Sequence, residues 1–354
     1  MAYQNVGTPR FYVSILQWLK SLGKLSFNYS NWSYNKDPLS LIDINPSNII
    51  NFAGYGLSGE NTVFLRYDVD GGNFNTLMPN DKNFFMVLGH NFNKDNVQQY
   101  LTIEWESGYH WLAQGDYVNY TYAYHQSEYD GFSIGVADNA HSNDNNKIAL
   151  QFLEYDPDAV FKLGPFLYGT YYDMNAPNLS LTMSREYGGT NEFTTYNGSS
   201  MSNTFWNKPP SWGDLGAWEL GDGNPALAKS GRRTWDLKFS YMDDSDLWGS
   251  NQMLSQKIGG ALSDSEIDLY VSSGNEDDLM YGDIFNYNLL TDDNFFSQVW
   301  HKTLGMTLPC IFQPDSSNSN PDQFAIVKGV PNSLKATRSS FNTYDISLSI
   351  EEVW

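Results

Sequence analysis

From Arg232 to Tyr241 the sequence RRTWDLKFSY puts Trp235, Leu237, Phe239 and Tyr241 on one side and Thr234, Asp236, Lys238 and Ser240 on the other. A period of two is what a strand with one buried face requires, and an amphipathic helix does not have it. The closing segment TYDISLSIEEVW repeats the pattern, with Tyr344, Ile346, Leu348 and Ile350 alternating with Asp345, Ser347, Ser349 and Glu351. LSLTMS does the same, with Leu179, Leu181 and Met183 opposite Ser180, Thr182 and Ser184. Further strand-length pieces lie between Lys24 and Asp158: NTVFLRYDV, NFFMVLGHNF, QYLTIEW, YVNYTYAY, FSIGVA and KIALQFLEY, cut by Gly, Asn, Asp and Pro. PCIFQP and QFAIVKGV follow near the C-terminus. Short strands at this spacing predict a mainly β protein built of antiparallel sheets packed face to face.

At 354 residues the chain exceeds the size at which one core usually stops growing, so two domains are expected. The first, residues 1–176, reads as a helix and an antiparallel, jelly-roll-like β-sandwich. The second, residues 177–354, reads as a β-sandwich with one or two helices. The boundary falls at the end of FKLGPFLYGTYYDMNAPN, where Pro and Gly surround a strand. The N-terminal helix is predicted in TPRFYVSILQWLKSLG, with Thr8 as cap, Pro9 in the first turn, Gly23 at the end, and Phe11, Ile15, Trp18, Leu19 and Leu22 as its apolar stripe. A second helix is predicted in TDDNFFSQVWHKTLG, capped by Thr291 and ended by Gly305. LSDSEIDLYVSS offers a capping box between Ser263 and Glu266. Residues 197–231 are Gly- and Trp-rich and long for a structureless connection, so Trp206, Trp212 and Trp218 are expected to be buried against another surface.

The balance of 41 acidic against 20 basic residues, a net charge of -21, argues against stable nucleic-acid binding, which needs clustered Lys and Arg. Cys310 is the one cysteine, so no intrachain disulfide can form. No apolar run is long enough for a membrane span and the N-terminus lacks a signal-peptide layout, so folding in a cytoplasm without membrane insertion is expected. Chemistry-bearing motifs are sparse: H-E-x-x-H and C-x-x-C do not occur, the five histidines lack metal-ligand spacing, and a serine-nucleophile motif is not expected either. GYGLSGEN has the glycine spacing of a phosphate loop, but Glu60 and Asn61 stand where Lys and Ser or Thr are needed. In DVDGGN, Asp68, Asp70 and Asn73 are candidate oxygen ligands for calcium. The twelfth position is Pro79 rather than a bidentate Glu, so a turn is the favoured reading. No cofactor and no enzymatic activity are expected; two carboxylates meeting in space as a glycosidase pair form the enzymatic alternative.

In order, the second half gives a Gly-containing hairpin in SREYGGT, then TWDLKFSYMDDSD, FFSQVWHKTLG, LPCIFQPD and a closing strand pair. That order resembles the minor tail and distal-tail proteins of tailed bacteriophages over about residues 179–354, apart from an insertion at about 250–290. LSLTMSREYGGT, KPPSWGDLGAWEL and SGRRTWDLKFSYMDD are also similar to virion proteins of marine tailed phages, over most of the chain. The resemblance implies a tail-tube-like β-sandwich, a non-enzymatic tail component in the virion, ring self-assembly and contacts with other virion proteins. In such a ring Arg232 and Arg233 either pin an acidic loop of a neighbouring copy or form an intrachain salt bridge. Trp206, Trp212 and Trp218 belong to the implied interface. Asp243, Asp244, Asp246, Glu276, Asp277 and Asp278 are candidates for an acidic wall around a DNA passage. A virion module that binds a host glycan or receptor is the alternative, with a glycan depolymerase behind it.

Overall fold

The structure is a computed structural model. It describes residues 7–30, 33–45, 48–53, 62–70, 74–79, 82–90, 98–105, 108–112, 125–126, 131–137, 147–153, 161–178, 182–186, 191–203, 232–247, 289–319, 323–340 and 343–353. The first strands are β1 (Arg10–Ser14), β2 (Leu25–Ser30), β3 (Ser33–Tyr34), β4 (Ile50–Ala53), β5 (Thr62–Val69) and β6 (Asn83–Leu88). Next come β7 (Gln98–Trp105), β8 (Gly108–Leu112), β9 (His125–Gln126), β10 (Phe132–Ala137), β11 (Lys147–Leu153), β12 (Phe161–Leu163) and β13 (Phe166–Asp173). The rest of the chain adds β14 (Thr182–Glu186), β15 (Asn191–Thr194), β16 (Ser200–Asn203), β17 (Arg232–Asp243), β18 (Cys310–Gln313), β19 (Ala325–Gly329), β20 (Lys335–Ser340) and β21 (Thr343–Glu352).

Among the described residues every strand pair is antiparallel, and the fold is mainly β, as the alternation predicts. A ten-stranded sheet runs in the order β10-β6-β13-β1-β18-β19-β21-β17-β14, with β20 also paired to β21. A six-stranded sheet runs β2-β5-β11-β7-β8, with β9 on β7; β12-β4-β3 and β15-β16 form two smaller sheets. The division at residues 176/177 therefore does not separate two sheets. β1 is hydrogen-bonded to β13 on one side and to β18 on the other, which joins strands from both halves of the chain.

Alternation along the central strands sorts the cores. On one face of the large sheet, Phe85, Val87, Phe166 and Tyr168 pack with Leu65, Tyr67, Ile148 and Leu150 of the six-stranded sheet and with Ile15, Trp18 and Leu19. This is a β-sandwich with a short helix in its filling. Farther along the same face, Phe11, Val13 and Tyr172 meet Trp235, Leu237, Phe239, Phe312, Val327 and Ile346 in a second core. The opposite face carries a third, formed by Tyr12, Phe84, Met86, Leu167, Ile311 and Ile326.

Three local expectations change. The N-terminal helix is shorter than its stripe suggests: Arg10–Ser14 is a strand, and helix α1 (Ile15–Ser21) starts where Ser14 Oγ accepts the Gln17 N–H. Phe11, Tyr12 and Val13 have strand-favouring side chains, and pairing on both edges outweighs Pro9 as a helix start. Gly23, at a φ of +68°, does end the helix. The second helix is a π-helical segment, Phe296–His301, and Asn294 rather than Thr291 accepts from the Ser297 N–H. Gly305 closes it at a φ of +70°. SREYGGT is not the turn of one hairpin, because β14 pairs with β17 whereas β15 pairs with β16, and so links two sheets. The loop expected at 197–231 instead opens with the end of the β15-β16 turn and strand β16 (Ser200–Asn203); the rest of that loop and the 250–290 insertion up to residue 288 lie outside the described residues, as do Ser263 and Glu266.

Candidate functional site

The paired arginines at the head of β17 separate by strand geometry. Arg233 lies two residues before Trp235 and shares its inward face; Glu352 lies two residues after Ile350 and shares the inward face of β21. β17 and β21 pair Trp235 with Ile350, so the two charged groups meet at the end of the ladder. Arg233 is 7% exposed and Glu352 2%. The Arg233 guanidinium donates from Nε to Glu352 Oε2 at 3.0 Å and from Nη2 to Oε1 at 2.8 Å, and the Arg233 backbone N–H donates to Oε2 at 2.9 Å. Nη2 also donates to the Phe324 carbonyl at 2.9 Å, and the guanidinium lies 5.2 Å from the Trp235 ring centroid. Arg233 thus takes the second of its two expected roles, an intrachain salt bridge. Arg232 points to the other face, half-buried, with its backbone opposite Glu186.

A second cluster lies where the two cores on one face of the large sheet adjoin. Lys302, 1% exposed, donates to the Leu290 carbonyl at 2.9 Å and to Gln298 Oε1 at 2.6 Å. Gln298 Nε2 donates to the carbonyls of Asp292 at 2.6 Å and Leu290 at 3.3 Å, and its Oε1 also accepts from Thr170 Oγ1 at 3.1 Å. Burial pushes the Lys302 ammonium down to about 7, opposed by Asp293. Burial and neighbouring Lys302 lower His301 as well. Asp293 itself is ion-paired with Lys82.

The third feature is a surface. On the β15-β16 hairpin Phe193 is 55% and Met201 53% exposed, and they are directly cross-strand; Tyr196, in the turn, is fully exposed. From Phe193 to Asn207 the sequence carries no charged residue, although the chain has a net charge of -21. Met183 on β14, placed on an inward face by its alternation, is 58% exposed at the margin of the large sheet.

A G-x-S-x-G pattern does occur, at Gly131–Gly135, against expectation. The structure sets His90 Nε2 2.7 Å from Ser133 Oγ. Ser133 is in the middle of strand β10 rather than on a strand-to-helix elbow, and both residues are buried to 1% or less. Each glycine has a packing reason: Gly131 takes a φ of +78°, and a Cβ on Gly135 would come within 2.1 Å of the Phe85 ring. Neither side chain is presented at the surface.

The remaining predicted residues scatter. Asp68 sits in β5, where its carboxylate accepts from Asn28 Nδ2; Asp70 follows the strand, exposed, and Asn73 lies outside the described residues. Among the described residues no group of three His, Cys, Asp or Glu could hold a metal ion. Asp243 and Asp246 are exposed at the far end of β17, Asp244 begins the short helix Asp244–Leu247, and burial, then Asp243 and Asp293, raise the pKa of Asp246. Trp206, Trp212, Trp218, Glu276, Asp277 and Asp278 lie outside the described residues. Glu352, Gln298 and Lys302 were not singled out beforehand as site residues. Glu352 continues the alternation of Tyr344–Ile350, the one signal that could have found it.

These features define an all-antiparallel, layered β protein whose distinctive groups are a buried ion pair, a polar seam and an apolar hairpin. No protein-family model and no curated protein matches the chain. Among solved structures it is similar to a CBM32 module of a family 31 glycoside hydrolase from Clostridium perfringens, at 11% identity and a TM-score of 0.27, over 42% of this chain and 92% of that one. Among the described residues no helix is long and apolar enough to cross a membrane.

Proposed function

We propose that the chain is a non-enzymatic structural subunit of a bacteriophage virion, a tail component that self-assembles into a ring and contacts other virion proteins. The observation that carries this reading is the β15-β16 hairpin, where Phe193, Tyr196 and Met201 are presented to solvent on a stretch without charge. Two copies of a strongly acidic chain repel one another, and a neutral apolar surface is where that repulsion is least. The hairpin is a two-stranded sheet of its own, not hydrogen-bonded to the large sheet. The buried Ser133–His90 pair fits the non-enzymatic reading. In the ring, Asp243 and Asp246 line a passage whose negative wall keeps a phosphate backbone moving.

The test is light scattering and negative-stain imaging of the purified full chain beside the variant F193S/Y196S/M201S. The proposal expects rings from the parent and monomers from the variant, with equal melting temperatures. Parent rings that survive the substitutions would remove the hairpin from the interface. A monomeric parent that binds glycans on an array would replace this reading by the receptor- or glycan-binding one.

A further inference from the structure

The two cores on one face of the large sheet are not continuous. Along β13, Phe166 and Tyr168 belong to the first core and Tyr172 to the second; between them on the same face is Thr170. Thr170 contacts Gln298, and Gln298 contacts Lys302. Asn83 occupies the corresponding place on β6, and it too is buried. A polar seam therefore divides the apolar filling, and one short segment spans it. Leu290 packs against the first core, Phe295 is buried in the second, and the carbonyls of Leu290 and Asp292 between them are held by Gln298 and Lys302.

We propose that this seam is the molecule's opening point: residues 290–294 undock from it as a unit, exposing Lys302 to water and withdrawing only the part-buried Leu290 from the first core, before the sheets of either core separate. Three properties of the seam make it so. Its contacts are hydrogen bonds that water can replace, whereas the flanking cores lose apolar burial when opened. Among the described residues Lys302 is fully buried with no carboxylate in hydrogen-bond contact, and it regains its hydration on undocking. The adjoining backbone is already strained, with Leu304 and Met306, on either side of Gly305, at positive φ after a π-helical turn. In a self-assembling subunit, the reading on which this rests, such an opening lets the two cores adjust to neighbours without unfolding.

Proton linkage gives the signature. The charged groups facing Lys302 are Asp293, which favours its protonated form and is itself paired with Lys82, and His301, whose pKa is lowered in part by Lys302. Lys302 titrates near 7 when docked and near the ordinary lysine value of about 10.4 when undocked. The undocked state binds more protons between those values, so docking strengthens as pH rises through this window and is flat below 7. His301 titrates below it and cannot produce the same slope.

Native-state hydrogen exchange on the full chain, corrected for intrinsic rates and read at Asn294 and Gln298, tests this. The parent is expected to open here with a smaller free energy than at the core strands β13 and β21, and its opening constant is expected to fall at least tenfold from pH 7 to pH 10. Lys302→Met, similar in length and not titrating, is expected to lower the opening constant at pH 7 at least tenfold and to abolish the slope; His301→Gln is expected to keep it. Opening no easier than that of the core strands, or an unchanged slope in Lys302→Met, overturns the proposal. If Lys302→Met fails to fold, the parent's slope in His301→Gln still decides, since its absence there overturns it. Loss of ring assembly in either variant bears on the hairpin reading and not on the seam.

Discussion

Arg233 and Glu352 are inside for the same reason as Trp235 and Ile350. The alternation that identifies β17 and β21 as half-buried strands applies to every residue on them, charged or not. The hydrophobic residues of that pattern were legible in the sequence, and Tyr344, Ile346, Leu348 and Ile350 are buried as it predicts. The charged members were not, because a glutamate after a run of apolar positions reads as the end of the buried face. Carried one step farther, the pattern places Glu352 on the inward face, and the pairing of β21 with β17 sets it opposite Arg233. The energetic consequence is specific. Removing one member of a buried pair strands the other, so Arg233→Met is expected to lower stability by about 3–5 kcal/mol. Removing both charges in R233M/E352L is expected to restore most of it, which urea midpoints of the two variants check. A double variant no better than the single one would show that the Phe324 and Trp235 contacts, rather than the carboxylate, carry the arginine's contribution.

At the scale of the element, β17 departs from its own pattern at one point. Tyr241 was assigned to the inward face with Phe239; instead it is 76% exposed and Met242 is buried. The pairing with β21 shifts between Phe239 and Met242, so one extra residue stands in β17, with Tyr241 at a φ of +57° and its N–H donating to Asp345 Oδ1 at 3.2 Å. This is a β-bulge, and it turns the acidic end of the strand, Asp243 onward, away from the straight course of the ladder. Nothing in SYMDD announces it, because both Tyr and Met satisfy an apolar position. The left-handed backbone disfavours a β-branched side chain most, so Tyr241→Val is expected to cost about 1–3 kcal/mol while Tyr241→Gly is near neutral. Equal melting temperatures for the two variants would mean that the bulge relaxes when its residue changes. The start of α1 teaches a related lesson. Thr8 and Pro9 are local helix signals, and they lose to a central strand position that only the folded sheet defines.

For the whole molecule the decisive fact is the place of β1. Chain length and the Pro/Gly cluster after residue 160 both suggest two units, and each half has strands where the alternation predicts them, apart from YVNYTYAY, which lies outside the described residues. What the sequence does not display is pairing between segments hundreds of residues apart. β1 lies against β13 and β18, with Phe11 opposite both Tyr172 and Phe312. Arg10 secures that junction with a bidentate pair to Asp173, at 2.6 and 2.9 Å, beneath which its guanidinium lies 4.0 Å from the Tyr171 ring centroid. Phe11, Val13, Tyr172 and Met174, all from the first half, complete the core of the second. Residues 177–354 made alone therefore lack four core side chains and the neighbour of β18. Residues 1–176 made alone leave β1 with an unpaired edge and an apolar face open to water. Neither fragment is expected to show a cooperative thermal transition by itself, whereas the two mixed or co-expressed are expected to recover a single transition near that of the intact chain. Two fragments that each melt cooperatively in isolation would establish that the halves are independent folding units joined by a dispensable strand. The polar seam would then be a boundary between domains rather than an opening within one.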